Sequence, residues 1–146
     1  MDDSQIFLRP IGYIESPFDE KVWIPRQGNF NKETGGVVVL NPAYEEGLLT
    51  LDSFRYCWIL FYFHKSAGFD LLQVPPKDDK LHGVFSIRSP RRPNRIGMTA
   101  VKIEKIEGNR LYFTGADMIN GTPVLDIKPY VEDADCIRGA GRGWLD

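Results

Sequence analysis

Short runs of β-branched and aromatic residues recur along the chain, separated by stretches that contain glycine and proline. Runs of this kind predict β-strands, because branched and aromatic side chains pack well on a pleated surface. The pattern predicts strands over residues 6–14, 36–40, 55–63, 83–87, 99–106, 110–114 and 122–130. Many short strands indicate an all-β fold of mostly antiparallel strands with short helices, closed into a single β-barrel that removes exposed edges.

Helical periodicity is confined to residues 42–51. Asn41 is suited to cap the N-terminus of this helix, Pro42 fits the first helical position, and three leucines follow on one side. The glycine and asparagine of segment 107–110 tolerate the positive φ angles that a hairpin turn requires. The sequence therefore predicts one short helix after the second strand and a tight turn between the fifth and sixth strands.

Prolines and glycines mark the connections between these elements. Because proline cannot donate to a central ladder, residues 74–77 and 89–94 are expected to be loops. The tail 138–143 is expected to be flexible, or to become ordered only with a partner. No linker interrupts the chain, so we expect one barrel domain over residues 1–146, with a core at about 6–135.

Composition narrows the cellular context. Of the 146 residues, 42% are hydrophobic, which is enough for a packed core, and no apolar run reaches the length of a membrane span. The acidic start Met1-Asp-Asp-Ser lacks the features of a secretory signal. Two cysteines and two histidines do not make a disulfide framework or a structural zinc site. We therefore expect a cytoplasmic protein without a membrane segment or a bound metal.

The charge pattern is more informative than the net charge of −2. Between Lys80 and Lys102 there is no acidic residue, and segment 88–95 carries four arginines and two prolines that restrict its backbone. A restrained loop of guanidinium groups suits phosphate or carboxylate, because each guanidinium can donate a fork of hydrogen bonds. A solvated basic loop with no ligand explains the same composition equally well.

A second candidate site lies in the last predicted strand. Side chains alternate along a strand, so Val124, Asp126, Lys128 and Tyr130 are predicted to point to the same side. A carboxylate, an ammonium group and a phenol together could handle a proton. The alternative is an ordinary surface salt bridge between Asp126 and Lys128.

Several segments, taken in order, resemble the TsaA-like family over about residues 6 to 135. No single motif is specific, but the ordered set is. The motifs that carry the resemblance are Ile11-Gly-Tyr-Ile-Glu-Ser-Pro17, Pro25-Arg-Gln27, Trp58-Ile-Leu-Phe61 with Phe63-His64, Gly83-Val-Phe85, Arg88-Ser89 with Arg92-Pro-Asn94 and Ile96-Gly97, and Gly121-Thr-Pro-Val124 with Asp126-Ile-Lys-Pro-Tyr130.

The resemblance implies a β-barrel methyltransferase in place of the Rossmann-like fold of most methyltransferases. It implies S-adenosyl-L-methionine as the methyl donor and a homodimer as the assembly. The implied substrate is tRNA, methylated on the exocyclic 6-nitrogen of threonylcarbamoyl-adenosine next to the anticodon. Longer bacterial members carry a further C-terminal domain beyond the matched residues, so the resemblance leaves the docking of tRNA open.

The resemblance also implies roles for individual residues. Asp126, Lys128 and Tyr130 match the family's polar strand at the active site, with Asp126 as the first candidate for the proton acceptor and His64 as the second. The residues implied to bind the cofactor are Gly28, Asn29, Phe30, His64, Lys65, Arg88, Met98, Thr114, Gly115, Ala116 and Asp117. The residues expected to reach the RNA or its threonylcarbamoyl carboxylate are Arg26, Arg91, Arg92, Asn94 and Arg95.

One rival interpretation remains at this stage. Small β-barrels often bind nucleic acid through one face without catalysing a reaction. A non-catalytic barrel that binds RNA or a nucleotide would show the same basic loop, whereas an enzyme would consume S-adenosyl-L-methionine.

Overall fold

The computed structural model of the protein describes residues 4–19 and 33–146. Within this part of the chain, six antiparallel strands close into a barrel in the order β1-β2-β7-β6-β3-β8, and β4 pairs with β5 in a separate two-stranded sheet. The predicted all-β barrel is therefore confirmed. The strands are β1 Gly12–Glu15, β2 Gly35–Leu40, β3 Tyr56–Tyr62, β4 Leu72–Gln73, β5 His82–Gly83, β6 Ile96–Glu107, β7 Arg110–Thr114 and β8 Pro123–Pro129, and the short helix α1 is Glu132–Asp135.

The antiparallel order defines two ends of the barrel. At one end, which we call the loop end, β1, β3 and β7 finish while β2, β6 and β8 begin. At the opposite end, which we call the helix end, short 3-10 helices connect β2 to β3. The connections that follow β3 and β7 therefore leave the barrel at the loop end. Both carry residues that the sequence predicts to bind the cofactor.

The core fills the barrel because the strands alternate inward and outward side chains. In β3, Cys57, Ile59 and Phe61 are buried, while Trp58 and Leu60 between them are only partly buried. The run 57–63 is apolar up to His64 beyond its end, but its alternate residues face outward. The side chains of the core with the least exposure are Ile14, Val38, Cys57, Ile59, Val84, Val101, Leu111, Phe113, Ala116, Met118 and Val124.

Two predicted strands are wrong in extent. Strand β1 begins only at Gly12, because the last ladder bond on its N-terminal side is donated by the Ile11 amide to the Val124 carbonyl, 2.8 Å away. Ile6 and Phe7 are apolar enough for a strand but remain exposed. The predicted strand 83–87 is instead the end of β5 followed by a 3-10 helix over Val84–Ser86.

The predicted helix 42–51 is also altered. It consists of two 3-10 helices, Pro42–Leu48 and Leu51–Ser53, and Thr50 between them has a positive φ of 67°. The predicted cap is confirmed, since the Asn41 side chain accepts from the Ala43 amide at 3.0 Å. The break allows both Leu48 and Leu51 to be buried against the core.

The connection between β3 and β6, residues 63–95, contains β4 and β5 and meets the C-terminal segment. The Trp144 ring stacks on the His82 ring with centroids 4.1 Å apart, and its indole nitrogen donates to the Ser86 carbonyl at 2.8 Å. The Nε2 atom of His82 also forms a hydrogen bond with Asp78 Oδ2, 2.5 Å away. The expected flexibility of the tail 138–143 stays a prediction, but Trp144 directly after it is anchored. Among the described residues, no helix is long and apolar enough to cross a membrane.

Candidate active site

The sequence-predicted cofactor residues that the structure describes lie in segments that begin or end at the loop end. His64 and Lys65 follow β3 after one residue, residues 115–117 directly follow β7, and Arg88 lies in the connection between β3 and β6. These segments are far apart in sequence, and antiparallel pairing alone brings them to one end of the barrel. Gly28, Asn29, Phe30 and Arg26 lie outside the described residues, so their predicted roles are carried by the sequence alone.

The segment after β7 is held firmly. Gly115 has a φ of 96°, which favours glycine, and the amides of Gly115 and Ala116 both donate to the Thr34 carbonyl at 2.9 and 3.0 Å. The Thr114 hydroxyl donates to Glu104 at 2.9 Å. Gly115 and Ala116 are buried, while Asp117 beside them is half-buried. A carboxylate is thus presented at the loop end from a rigid backbone.

The loop 88–95 does not present its arginines uniformly. Arg91 pairs with Asp70 at 2.7 Å, with both side chains more than half exposed. Arg92 donates to the carbonyls of Ile87 and Ser89 in its own loop, at 3.2 and 3.1 Å. Arg88 is exposed, and no hydrogen bond or ion pair engages its guanidinium among the described residues.

The last two residues of the loop also differ from each other. Asn94 is exposed. Arg95 is partly buried and donates to the Tyr62 hydroxyl and to the Ser66 carbonyl. Of the residues predicted to reach RNA, Arg95 is therefore bound into the fold, whereas Asn94 remains open to solvent.

The second predicted cluster lies on the outside of the barrel wall. Asp126 pairs in register with Leu60, Lys128 pairs with Trp58, and Leu60 pairs on its other side with Met98. Asp126 and Met98 thus flank Leu60 on the outer surface, with their Cα atoms roughly 10 Å apart. Strand pairing thus places Asp126 of the predicted catalytic strand two strands away from Met98, a predicted cofactor residue.

A bulge corrects one detail of the strand prediction. The register shifts between Leu60 and Phe61, so that Leu125 is the extra residue in β8. Asp126 and Lys128 share the outer side, as alternation predicts, but Val124 points into the core and is fully buried. Bulges of this kind re-aim side chains beside functional sites.

Asp126 and Lys128 form an ion pair of 3.0 Å between Oδ2 and Nζ, with side-chain exposures of 48% and 62%. The Ile127 amide donates to Asp126 Oδ1 at 2.9 Å. An exposed pair of this kind contributes little to stability. Each carboxylate oxygen still has a free lone pair, so Asp126 remains able to accept a proton or a hydrogen bond from a ligand.

Tyr130 lies four residues beyond Asp126 in an aromatic environment. Its ring is 5.6 Å from Trp58 and 6.4 Å from Tyr56. Burial, followed by the charges of Cys136, Asp135 and Glu132, raises the pKa of the Tyr130 phenol above its ordinary value. A phenol is protonated at neutral pH and can donate a hydrogen bond, and the raised pKa extends this range to higher pH.

Two cavities lie near these residues. One of about 610 Å³ opens at the loop end, and its lining includes Tyr13, Ser16, Gly35 and Asn120. The other, of about 490 Å³, lies between β8 and the 3-10 helices, and its lining includes Leu40, Leu48, Phe54, Asp126 and Ile127. Among the described residues predicted to form the site, only Asp126 lines one of these cavities, the one between β8 and the 3-10 helices. Asp126 therefore borders both the outer wall and an apolar cleft.

Among residues 4–19 and 33–146, no group of three or more His, Cys, Asp or Glu side chains could hold a metal ion.

The sequence interpretation missed Tyr62, Ser66 and Trp58. Tyr62 and Ser66 hold Arg95, and Trp58 packs against Tyr130. A signal for two of them was present, because aromatic residues occupy positions 56, 58 and 62 of β3, all of which face outward. Tyr and Trp at outward positions of an apolar strand keep a polar group available for hydrogen bonds on the outer face, which is the signal that the sequence offered.

Comparison with known proteins identifies the family. The sequence profile of the tRNA-methyltransferase O N-terminal domain matches residues 13–136, so the chain belongs to this family. This confirms the resemblance found in the motifs.

Named relatives and solved structures agree with this assignment. The tRNA (adenine(37)-N6)-methyltransferase of Rattus norvegicus is 42% identical over 142 residues, covering 92% of this chain and 33% of that protein. An S-adenosyl-L-methionine-binding protein of Archaeoglobus fulgidus is 37% identical over 132 residues, covering 90% of this chain and 94% of that protein. The crystal structure of TrmO from Pseudomonas aeruginosa superposes with a TM-score of 0.83 at 39% identity, covering 97% of this chain and 63% of that one. The chain thus spans a third of the length of the rat relative.

Proposed function

We propose that this protein is an S-adenosyl-L-methionine-dependent tRNA methyltransferase that methylates the exocyclic 6-nitrogen of threonylcarbamoyl-adenosine next to the anticodon. The observation that carries the proposal is 42% identity, over 92% of this chain, to a protein named tRNA (adenine(37)-N6)-methyltransferase. The connections that carry the predicted cofactor residues after β3 and β7 leave the barrel at the same end, which supports it. A tRNA substrate also supports the expected cytoplasmic location.

The residues at the loop end fit the chemistry of the cofactor. S-adenosyl-L-methionine carries a ribose diol, an ammonium group and a carboxylate, and when bound it supplies a methyl group on a sulfonium. The half-buried carboxylate of Asp117 suits the diol or the ammonium group. The exposed guanidinium of Arg88 suits the carboxylate. His64, Lys65, Met98 and residues 114–116 would complete this site.

The chain's own task in such a reaction is alignment and proton transfer. Holding nucleophile and methyl group in line removes much of the barrier without covalent catalysis. The 6-nitrogen gains a carbon and loses one proton, and a carboxylate within reach can accept that proton. Asp126 suits this role, because it flanks Leu60 opposite Met98 and keeps free lone pairs.

Position and protonation distinguish Asp126 from Tyr130. Tyr130 lies four positions after Asp126, just beyond the end of β8, which places it roughly 13 Å further from the loop end. The raised pKa of Tyr130 keeps its proton on the phenol. We therefore assign Asp126 as the proton acceptor, Lys128 as the group that orients it, and Tyr130 as a donor to the substrate.

The proposal is tested by transfer of labelled methyl from S-adenosyl-L-methionine to tRNA that does or does not bear the threonylcarbamoyl group. Asp126→Asn should lower kcat by about 100-fold or more, the usual contribution of a positioned acid–base group. Its matched control is Glu107→Gln, since Glu107 also pairs with a lysine two residues away in its own strand, β6, at 3.2 Å. The control should retain wild-type turnover.

The outcomes separate the rival interpretations. Methyl transfer to modified tRNA alone supports the substrate assignment, and transfer to unmodified tRNA would replace it with another adenosine. Binding of tRNA with no consumption of the methyl donor would favour the non-catalytic barrel. Wild-type turnover in Asp126→Asn would remove Asp126 from the role of proton acceptor.

A homodimer is part of the same proposal. The outer wall of β3 and β6 exposes the large apolar side chains of Tyr56, Ile96 and Met98, with exposures of 40 to 49%. A wall of this kind is suited to be covered by a second copy. Sedimentation analysis should give a dimer for the wild type and a monomer for Ile96→Lys. A wild-type monomer at micromolar concentration would contradict the dimer but not the activity.

A further inference from the structure

Arg95 occupies an unusual position, one residue before β6 begins. Its φ is 46°, and among the described residues it shares a positive φ with only one other residue that is not glycine, Thr50. The left-handed region is unfavourable for a side chain with a Cβ atom. A compensating set of contacts is expected to hold such a residue in place.

Those contacts all reach the turn that follows β3. The Arg95 guanidinium donates to the Tyr62 hydroxyl and to the Ser66 carbonyl, and its carbon lies 5.0 Å from the Tyr62 ring centroid. The Arg95 carbonyl accepts from the Phe63 amide at 2.9 Å. Arg95 thus binds both ends of the segment 62–66. His64 and Lys65 lie between these two ends.

The other side of the turn is anchored by apolar packing. The Phe63 and Phe61 rings meet edge to face with centroids 5.1 Å apart. Gly97 lies beneath them so closely that a Cβ atom there would be 2.5 Å from the Phe61 ring. This packing does not depend on the guanidinium. Removing the guanidinium should therefore loosen the polar half of the turn and leave the barrel folded.

We propose that Arg95 is a positioning residue that holds the turn 63–66, and through it His64 and Lys65, in the geometry that binds the cofactor. The inference rests on the proposed function for what the turn binds, but not for how the turn is held. It replaces the expectation that Arg95 reaches RNA, because charge-assisted hydrogen bonds already engage its guanidinium within the chain.

Arg91 provides a contrast within the same loop. Its guanidinium forms an ion pair with Asp70 that is more than half exposed on both sides. Water and salt screen such a pair, so its loss should leave the turn 63–66 and the affinity for the cofactor unchanged, whatever it does to RNA binding. Arg91→Gln removes the same charge as Arg95→Gln and is the matched control.

The first experiment measures the turn in the free protein by hydrogen exchange. In Arg95→Gln, peptides that cover residues 62–66 should exchange about tenfold faster, the effect of losing one charge-assisted hydrogen bond. Arg95→Gly relieves the backbone strain but lacks the guanidinium, so it should show the same increase. Tyr62→Phe should show a smaller one. Unchanged exchange in Arg95→Gln and Arg95→Gly would overturn the inference.

The second experiment measures affinity by titration with S-adenosyl-L-methionine and, separately, with tRNA. Arg95→Gln should raise the Kd for the cofactor about tenfold, and Arg91→Gln should leave it within about twofold. The slope of log affinity for tRNA against log salt should not change in Arg95→Gln. A slope reduced by about 0.7 to 0.9 with unchanged cofactor affinity would make Arg95 a phosphate contact and overturn the inference. A wild type that binds no cofactor would refute the proposed function, while the exchange data would still decide whether Arg95 holds the turn.

Discussion

At the helix end of the barrel, Leu48 and Leu51 from two short 3-10 helices cover the core with apolar side chains. At the loop end, the core is covered by Ala116 and Met118, which stand on a hydrogen-bonded loop. The Ser16 hydroxyl donates to the Met118 carbonyl at 2.6 Å there. One end is closed by hydrophobic contact, and the other by directional bonds.

The difference fits the position of the predicted cofactor residues, which lie in segments at the loop end. Apolar contact tolerates small displacements, because many weak contacts share the load. Hydrogen bonds fix distance and angle, and a site needs that precision to align two reactants. The loop end combines a glycine with positive φ at position 115, a backbone pair to Thr34 and the guanidinium of Arg95. These hydrogen bonds fix the positions of the residues at the loop end, whereas apolar burial at the helix end stabilises the fold.

The largest expected effect concerns thiol reactivity near the helix end. Cys57 is fully buried on the inner side of β3, and burial raises the pKa of its thiol to about 12, from an ordinary 9.0. Cys136 is exposed and free. A difference of about three pKa units lowers the thiolate fraction about a thousandfold. Iodoacetamide at pH 8 should therefore label Cys136 and leave Cys57 unlabelled until denaturant is added.

The same shift predicts a pH dependence of stability. The folded pKa of Cys57 is raised, so its contribution is fully present below pH 9.0 and is lost as the pH rises toward about 12. The free energy of unfolding of the wild type, measured from denaturation curves, should fall over this pH range more steeply than that of Cys57→Ala. Equal labelling of the two cysteines in the native protein would show that the helix end opens readily, contrary to its apolar closure.

A smaller effect is expected from removing one of the leucines that cover the helix end. Leu51 is only 9% exposed, whereas Leu49 two residues earlier is 81% exposed. Leu51→Ala should lower the free energy of unfolding by about 3 kcal/mol, through lost burial and the cavity left behind. Leu49→Ala should change it by less than about 0.5 kcal/mol. Urea denaturation measures both.

The affinity for S-adenosyl-L-methionine gives this pair of variants a second use. Leu51→Ala molecules that remain folded should bind the cofactor with wild-type affinity, because the predicted cofactor segments lie at the loop end. A large loss of affinity without further unfolding would mean that the two ends are coupled, and the division of roles between them would fail.

The sequence predicts elements well where the signal is local. The turn between β6 and β7 needs only Gly108, with a φ of 59°, and Asn109 between two amphipathic strands. The cap by Asn41 needs only the next two residues. Both were found from composition and spacing. The antiparallel barrel followed from many such strands, because closure removes exposed edges.

Features that depend on distant partners could not be found in this way. Residues 6–11 have the composition of a strand, but no ladder extends beyond Ile11. The bulge at Leu125 is set by pairing with β3, and it moves Val124 into the core. Arg95 reads as one more exposed arginine until Tyr62, 33 positions earlier, is placed beside it. In each case the deciding contact is with a residue that local patterning does not identify.

The smallest expected effect concerns Trp144, which fastens the C-terminal segment to the β3–β6 connection at the loop end. Trp144→Leu removes the stacking on His82 and the bond to Ser86. Aromatic pairs contribute about 0.5–1.5 kcal/mol beyond burial, so hydrogen exchange in residues 143–146 should rise several-fold. The global free energy of unfolding should hardly change, because the contact lies outside the barrel. His82→Phe is the control, since it keeps the stacking and loses the bond to Asp78.

The pH dependence of hydrogen exchange separates the Asp78–His82 hydrogen bond from the stacking of Trp144 on His82. The hydrogen bond from His82, the largest cause, lowers the pKa of Asp78 below its ordinary value of 3.8. A carboxyl group with a depressed folded pKa contributes above its ordinary pKa and loses that contribution as the pH falls through the folded value. The Asp78 part of the contact should therefore persist from neutral pH to about 4 and disappear only below it, and His82→Phe should lack this step. A step at the same pH in His82→Phe would assign the acid sensitivity to another carboxylate and leave Trp144 stacking as the whole of the anchor.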